Sequence, residues 1–289
     1  MSSSVTSTTS GTASGTASGR RSTAAAAVDR AKAEGRAALV AYLPVGFPDV
    51  DASIAAAKAA VAGGADVVEL GLPYSDPTMD GATIQRAVDA ALAARTRPAD
   101  VLRAVEEVAA TGAAVLVMTY WPPVDRYGVD RFAADLAAAG GAGLITPDLI
   151  PDEAGAWLAA SDAHDLERVF LVAPSSTDAR LAMTAGACRG FVYAASLMGV
   201  TGTRATVGAG AGELVRRTRA AGAERVCVGL GVSTREQAAQ VAGYADGVIV
   251  GSAFVQRLLD ADGAAAGARA VAELAEQLAE GVRSGAAAG

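Results

Sequence analysis

Eight short, nearly continuous apolar runs rich in β-branched residues recur between residues 38 and 250, separated by alanine-rich sequence of helical period. In chain order they read ALVAYL (38–43), DVVEL (66–70), AVLVMT (114–119), GLIT (143–146), RVFLVA (168–173), GFVYAA, RVCVG (225–229) and DGVIV (246–250). A strand that alternates apolar and polar residues keeps one face wet. A strand without alternation is covered on both faces, as in parallel sheets with helices packed outside. Eight such units at regular spacing close into a ring, so the expected fold class is α/β, an eightfold β/α (TIM) barrel. An open doubly wound sheet is the weaker alternative, because the first βα turn carries no dinucleotide glycine fingerprint. Thr23 to Glu34 is expected as an extra N-terminal helix across the barrel bottom, and Ala266 to Val282 as the last outer helix.

A length of 289 residues suits one such barrel. The expected division is a disordered Ser/Thr/Gly tail over 1–22 and a single barrel domain over 23–289. Residues 2–19 contain only Ser, Thr, Gly, Ala and one Val, too little apolar surface to offset the entropy of ordering. Arg20 and Arg21 follow this polar run, the reverse of a secretory signal, so a cytoplasmic location is expected. The formal net charge of −7 argues against nucleic acid as a partner. Beyond the tail the longest charge-free stretch, Val108 to Val124, is broken by Gly112, Pro122 and Pro123, which excludes it as a membrane span.

The working face of such a barrel is the carboxyl end of its strands. The second run carries Glu69 at that end, and a buried carboxylate is costly without a partner or a task. An acid–base role is favoured there over pairing with a buried arginine or backbone amide. The loop that follows, GLPYSDPTMDG, contains Asp80, which reads equally as an acid and as a turn or cap residue. The sixth run leads into a long glycine-punctuated loop, the pattern of a lid. The seventh and eighth end in GLGVS (229–233) and VGSA (250–253), each opening into a helix. Glycine turns and helix N-termini at these two places form the phosphate site of many barrel enzymes, with Ser252 as a hydroxyl donor; two tight turns and a cap are the plainer alternative.

Several chemistries fall by subtraction. A Schiff base needs a strand-end lysine, and the chain has only Lys32 and Lys58, both in helical sequence; a zinc aldolase needs several histidines, and there is only His164, in a polar loop. Cys188 and Cys227 lie far apart and form no metal or redox spacing. What remains is proton transfer on a small phosphorylated compound whose own structure accepts the electrons.

At these residues the sequence resembles the tryptophan synthase alpha chain family from about Ala37 to Ala253. The motifs are VELGLPYSDPTMDGATIQRA (68–87), LVAYLPVGFPD (39–49), LVAPSSTDARL (171–181), MGVTG (198–202), GLGVS and VGSA. The resemblance implies retro-aldol cleavage of indole-3-glycerol phosphate to indole and glyceraldehyde 3-phosphate, a step of tryptophan biosynthesis. It assigns proton exchange to Glu69 and stabilisation of the indole nitrogen to Asp80. It places Tyr193 beside the substrate, Tyr42, Ile145 and Leu230 around the indole, and Thr201 against Asp80 on lid closure. Phosphate would rest on the amides of Gly202, Gly231 and Gly251 with Ser252. No cofactor is expected in this chain; pyridoxal phosphate belongs to the beta chain with which an alpha2beta2 heterotetramer is expected.

The chain departs from the family at Ala82, where proline is common, at Pro122-Pro123, where Asn-Pro is common, and at Leu197-Met198, where Arg-Ala is frequent. Other readings are a free-standing indole-releasing lyase, another phosphate-binding barrel isomerase, and a barrel kept for binding alone. The retained Glu69 and Asp80 argue against the last.

Overall fold

The computed structural model describes residues 21–195, 209–229 and 231–285. Its strands are β1 (Ala38–Pro44), β2 (Val67–Gly71), β3 (Ala114–Met118), β4 (Gly143–Ile145), β5 (Glu167–Val169), β6 (Leu171–Val172), β7 (Val192–Ala195), β8 (Val226–Gly229) and β9 (Gly247–Val250). Every paired neighbour is parallel, in the order β5-β4-β3-β2-β1-β9-β8-β7-β6. β5 and β6 are the two halves of the fifth apolar run, interrupted at Phe170, so the ends of this order are joined through one residue. The Phe170 carbonyl accepts the Tyr193 amide at 3.1 Å, and Arg168 and Arg189 exchange two backbone bonds of 2.9 Å. The ring is therefore closed, as an eightfold β/α barrel whose fifth strand is broken.

Strand periodicity sorts the side chains into two cores. Leu39, Ala41 and Leu43 of β1 and Val68 and Leu70 of β2 face the helices, whereas Val40, Val67, Leu116, Ile145, Val169, Cys227 and Ile249 fill the barrel interior. Alanine and glycine let the outer helices approach at backbone distance. A Cβ built on Gly63, at the end of the helix Val50–Ala62, would stand 2.6 Å from both the Ala272 carbonyl and the Ala275 Cβ of the last helix, Ala264–Gly285. The high apolar fraction thus reflects close helix packing; no helix among the described residues is long and apolar enough to cross a membrane.

The extra helix spans Ala24–Ala33 and buries Ala24, Ala27, Val28 and Ala31 against the interior core. Thr23 caps its Ala26 amide at 3.2 Å, and the buried Glu167 takes the Ala24 and Ala25 amides at 2.7 and 2.8 Å. A carboxylate on first-turn amides satisfies orphan donors and meets the positive end of the helix dipole. Arg21 reaches the carbonyls of Gly141 (3.2 Å) and His164 (3.2 Å), and Ser22 that of Gly112 (2.8 Å). Lys32 and Lys58 are engaged in ion pairs, with Asp246 at 3.5 Å and Glu107 at 2.8 Å, away from the mouth.

Candidate active site

Glu69 lies on β2 directly opposite Tyr42 on β1 and Leu116 on β3, on the interior side of the sheet. It is fully buried, and among the described residues neither carboxylate oxygen has a hydrogen-bond partner. Loss of water with nothing in exchange disfavours the charged form and pushes its acid up to about 8. Two tyrosines accompany it. The Tyr42 phenol leans over Gly71, where a Cβ would stand 2.5 Å from its hydroxyl, and the Tyr193 ring leans over Gly229, where a Cβ would stand 2.9 Å from Cε1 and Cζ. Both phenols are pushed well above their ordinary range, by burial first and then by the neighbouring charges of Glu69 and Asp80.

Asp80 stands at the end of the loop after β2, one residue before the N-cap Gly81 of the helix Ala82–Ala93. The carboxylate is not a cap: among the described residues, it accepts a hydrogen bond from the Tyr120 hydroxyl at 3.3 Å. The same hydroxyl accepts the Met79 amide at 3.0 Å, and the Tyr120 ring lies 5.3 Å from that of Tyr74 at 33°. Half-burial pushes the Asp80 acid up, while the Tyr120 hydrogen bond pulls it back. Two carboxylates in such different surroundings suit different tasks: burial favours the neutral form of Glu69, while at Asp80 a donor to the anion partly offsets the burial that raises its acid.

Tyr120 was not among the residues expected from the sequence, although it lies two residues after β3 and the strand-end rule that selected Glu69 points there too. Nothing in the local sequence distinguishes it from a core aromatic; only its contact with a residue 40 positions earlier does.

Ile145 is fully buried at the end of β4 among the interior residues, consistent with a pocket wall. Gly251 is the N-cap of the helix Ser252–Leu259 and offers its first turn no side-chain cap, which leaves that terminus suited to an anion. Gly231 has φ of +72°, a conformation that side chains other than glycine rarely adopt. The helix terminus after β8 differs from the expectation. It begins at Arg235, and Thr234 and Gln237 form a capping box in which Gln237 Oε1 takes the Ser233 and Thr234 amides at 2.8 and 3.2 Å. The Thr234 hydroxyl in turn accepts the Gln237 amide at 3.3 Å, so the box engages the two residues before the helix and one amide of its first turn. Thr201, Gly202 and Leu230, with Leu197 and Met198, lie outside the described residues.

A family model for the tryptophan synthase alpha chain matches residues 28–283. The chain belongs to this family. The tryptophan synthase alpha chain of Thermobifida fusca is 64% identical over 259 residues, covering 89% of this chain and 96% of that protein, and the one of Streptomyces coelicolor is 64% identical over 254 residues, covering 88% and 94%. A crystal structure of tryptophan synthase from M. tuberculosis superposes with a TM-score of 0.83 at 56% identity, over 90% of this chain and 98% of that one. A tryptophan synthase alpha chain from Legionella pneumophila gives 0.81 at only 31% identity, over 90% and 96%. The alpha-chain fold therefore persists while most positions change. The chain spans nearly the full length of these relatives, so membership in the family extends to the whole barrel and to the lyase function of its members.

Proposed function

We propose that this chain cleaves indole-3-glycerol phosphate into indole and glyceraldehyde 3-phosphate, with Glu69 as the proton-transfer group and Asp80 as the electrostatic stabiliser. The observation that carries the reading is the pair of carboxylates at the mouth in opposite environments, one buried with no hydrogen-bond partner among the described residues and one hydrogen-bonded and half exposed. With its acid near 8, Glu69 holds a proton at neutral pH and can deliver it to carbon 3 of the indole ring. The ring becomes an indoleninium cation. The resulting Glu69 carboxylate takes the proton of the glyceryl hydroxyl as the bond from carbon 3 to the side chain breaks. The electrons of that bond return to the ring, and the hydroxyl carbon becomes the aldehyde. Asp80 faces the ring nitrogen while it carries positive charge, an interaction strongest in the transition state.

No cofactor is needed in this chain, since the protonated ring is the electron sink. Tyr42, Ile145 and Tyr193 line the indole side, and Gly231, Gly251 and Ser252 hold the phosphate; the roles that the family resemblance implies for Thr201, Gly202 and Leu230 fall on residues outside those described. The expected partner is a tryptophan synthase beta chain carrying pyridoxal phosphate, in an alpha2beta2 heterotetramer in the cytoplasm. Support comes from M. tuberculosis tryptophan synthase in an aminoacrylate-bound form, whose matched chain is 55% identical to this one.

The test is indole release from indole-3-glycerol phosphate by the purified chain, alone and with a beta chain added. Low activity raised strongly by the partner supports the reading. High activity without it makes the chain a free-standing lyase, and none in either case removes the assigned reaction.

A further inference from the structure

Asp148 lies in the loop after β4, and both its carboxylate oxygens accept the Trp121 amide hydrogen, at 2.9 and 3.0 Å. Trp121 opens the short helix Trp121–Tyr127, whose N-cap is Tyr120 and which has no side-chain cap bond from Tyr120. Pro122 and Pro123 have no amide hydrogen, so Trp121 supplies the only N–H among the first three helical residues. A carboxylate on that single amide fixes where the helix starts, and the residue before it is Tyr120. The Tyr120 hydroxyl accepts the Met79 amide, so its one hydrogen is directed to Asp80.

The geometry points to Asp148 as a positioning residue for Asp80, acting across three successive loops through the Trp121 amide and the Tyr120 phenol. This inference rests on the catalytic reading of Asp80 given above. The phenol hydrogen is the donor that favours the Asp80 anion against burial. Without Asp148 the first turn of the helix relaxes, the phenol drifts, and a bond already 3.3 Å long is lost. The phosphate-binding turns sit on the opposite stretch of the ring, after β8 and β9, and should not register the change.

The experiment measures kcat and KM for indole release against pH, in the assembly that gives full activity. The variants are Asp148→Ala, Asp148→Asn, Tyr120→Phe and the double variant Asp148→Ala/Tyr120→Phe, with thermal unfolding recorded for each. Asp148→Ala should lower kcat roughly 10-fold with little change in KM, and move the acidic limb of the kcat profile to higher pH. Asp148→Asn keeps an acceptor oxygen and should recover most of the rate, which also covers the case in which the alanine variant does not fold. In the Tyr120→Phe background, Asp148→Ala should add less than about a 2-fold loss, because the two act in series. Equal losses in both backgrounds, an effect on KM alone, or an unshifted pH limb would overturn the inference. A silent Asp80→Asn variant, by contrast, would remove the catalytic reading on which it rests.

Discussion

Tyr42 and Glu69 face each other across the β1–β2 ladder, and the phenol covers Gly71 two residues beyond the carboxylate. A glycine is required at 71 because a Cβ would stand 2.5 Å from the hydroxyl and 2.9 Å from Cζ. Gly71→Ala should therefore drive the ring into the mouth, raising KM for the substrate by roughly 10-fold or more with a smaller loss in kcat. Combining it with Tyr42→Phe, which removes the nearest atom, should restore part of the lost affinity. Steady-state kinetics of the three variants check this; full affinity in Gly71→Ala would mean the ring has another place to go.

Glu69→Gln should abolish cleavage and leave the fold intact, since an isosteric amide neither donates nor accepts the proton. It should also change stability with pH. The native acid titrates near 8 and the unfolded one near its ordinary 4.5, so the native state binds more protons between these values. Wild-type stability then falls as pH rises from about 4.5 towards 8, and the neutral glutamine escapes that loss. Denaturant titrations at several pH values should show the variant gaining on wild type across that window, by about 2–5 kcal/mol at its upper end. A gap that does not vary with pH would contradict the partnerless burial of Glu69.

Asp80→Asn should lower kcat by about 10²–10³ with fold and phosphate affinity retained, the usual cost of one transition-state charge partner. Single-turnover measurement of indole release separates this from slow product departure. Because Asp80 caps nothing, the unfolding midpoint should hardly move.

Glu167→Ala strips the barrel-bottom helix of the acceptor for two amides. The expected cost is about 2–3 kcal/mol, with the rate per folded molecule unchanged, because the site is at the other end of the barrel. Equilibrium unfolding paired with active-site titration tests both halves.

Much of this was legible from local sequence. An uninterrupted apolar run is a doubly covered strand wherever it lies, and the end of a run marks the mouth; those two facts singled out Glu69 and the glycine turn at Gly251, whereas Asp80 as an acid and Ile145 as a pocket wall came from the family resemblance. The capping pattern of Thr234 and Gln237, which shapes the entry to the helix after β8, was also present in the sequence. Other features depend on pairs far apart along the chain. Glu167 meets residues 24 and 25 only because the first helix folds under the fifth strand, and Tyr120 meets Asp80, and Asp148 meets Trp121, only because neighbouring loops rise from adjacent strands.

The sequence by itself determined the number and order of the βα units and the place of Glu69 at a strand end, since periodicity and strand-end position are properties of a few consecutive residues. The tertiary structure alone decided that Glu69 is buried with no hydrogen-bond partner among the described residues while Asp80 has one. An acid's proton affinity is set by the water it loses and the donors it gains, and both come from residues brought together by the closed ring.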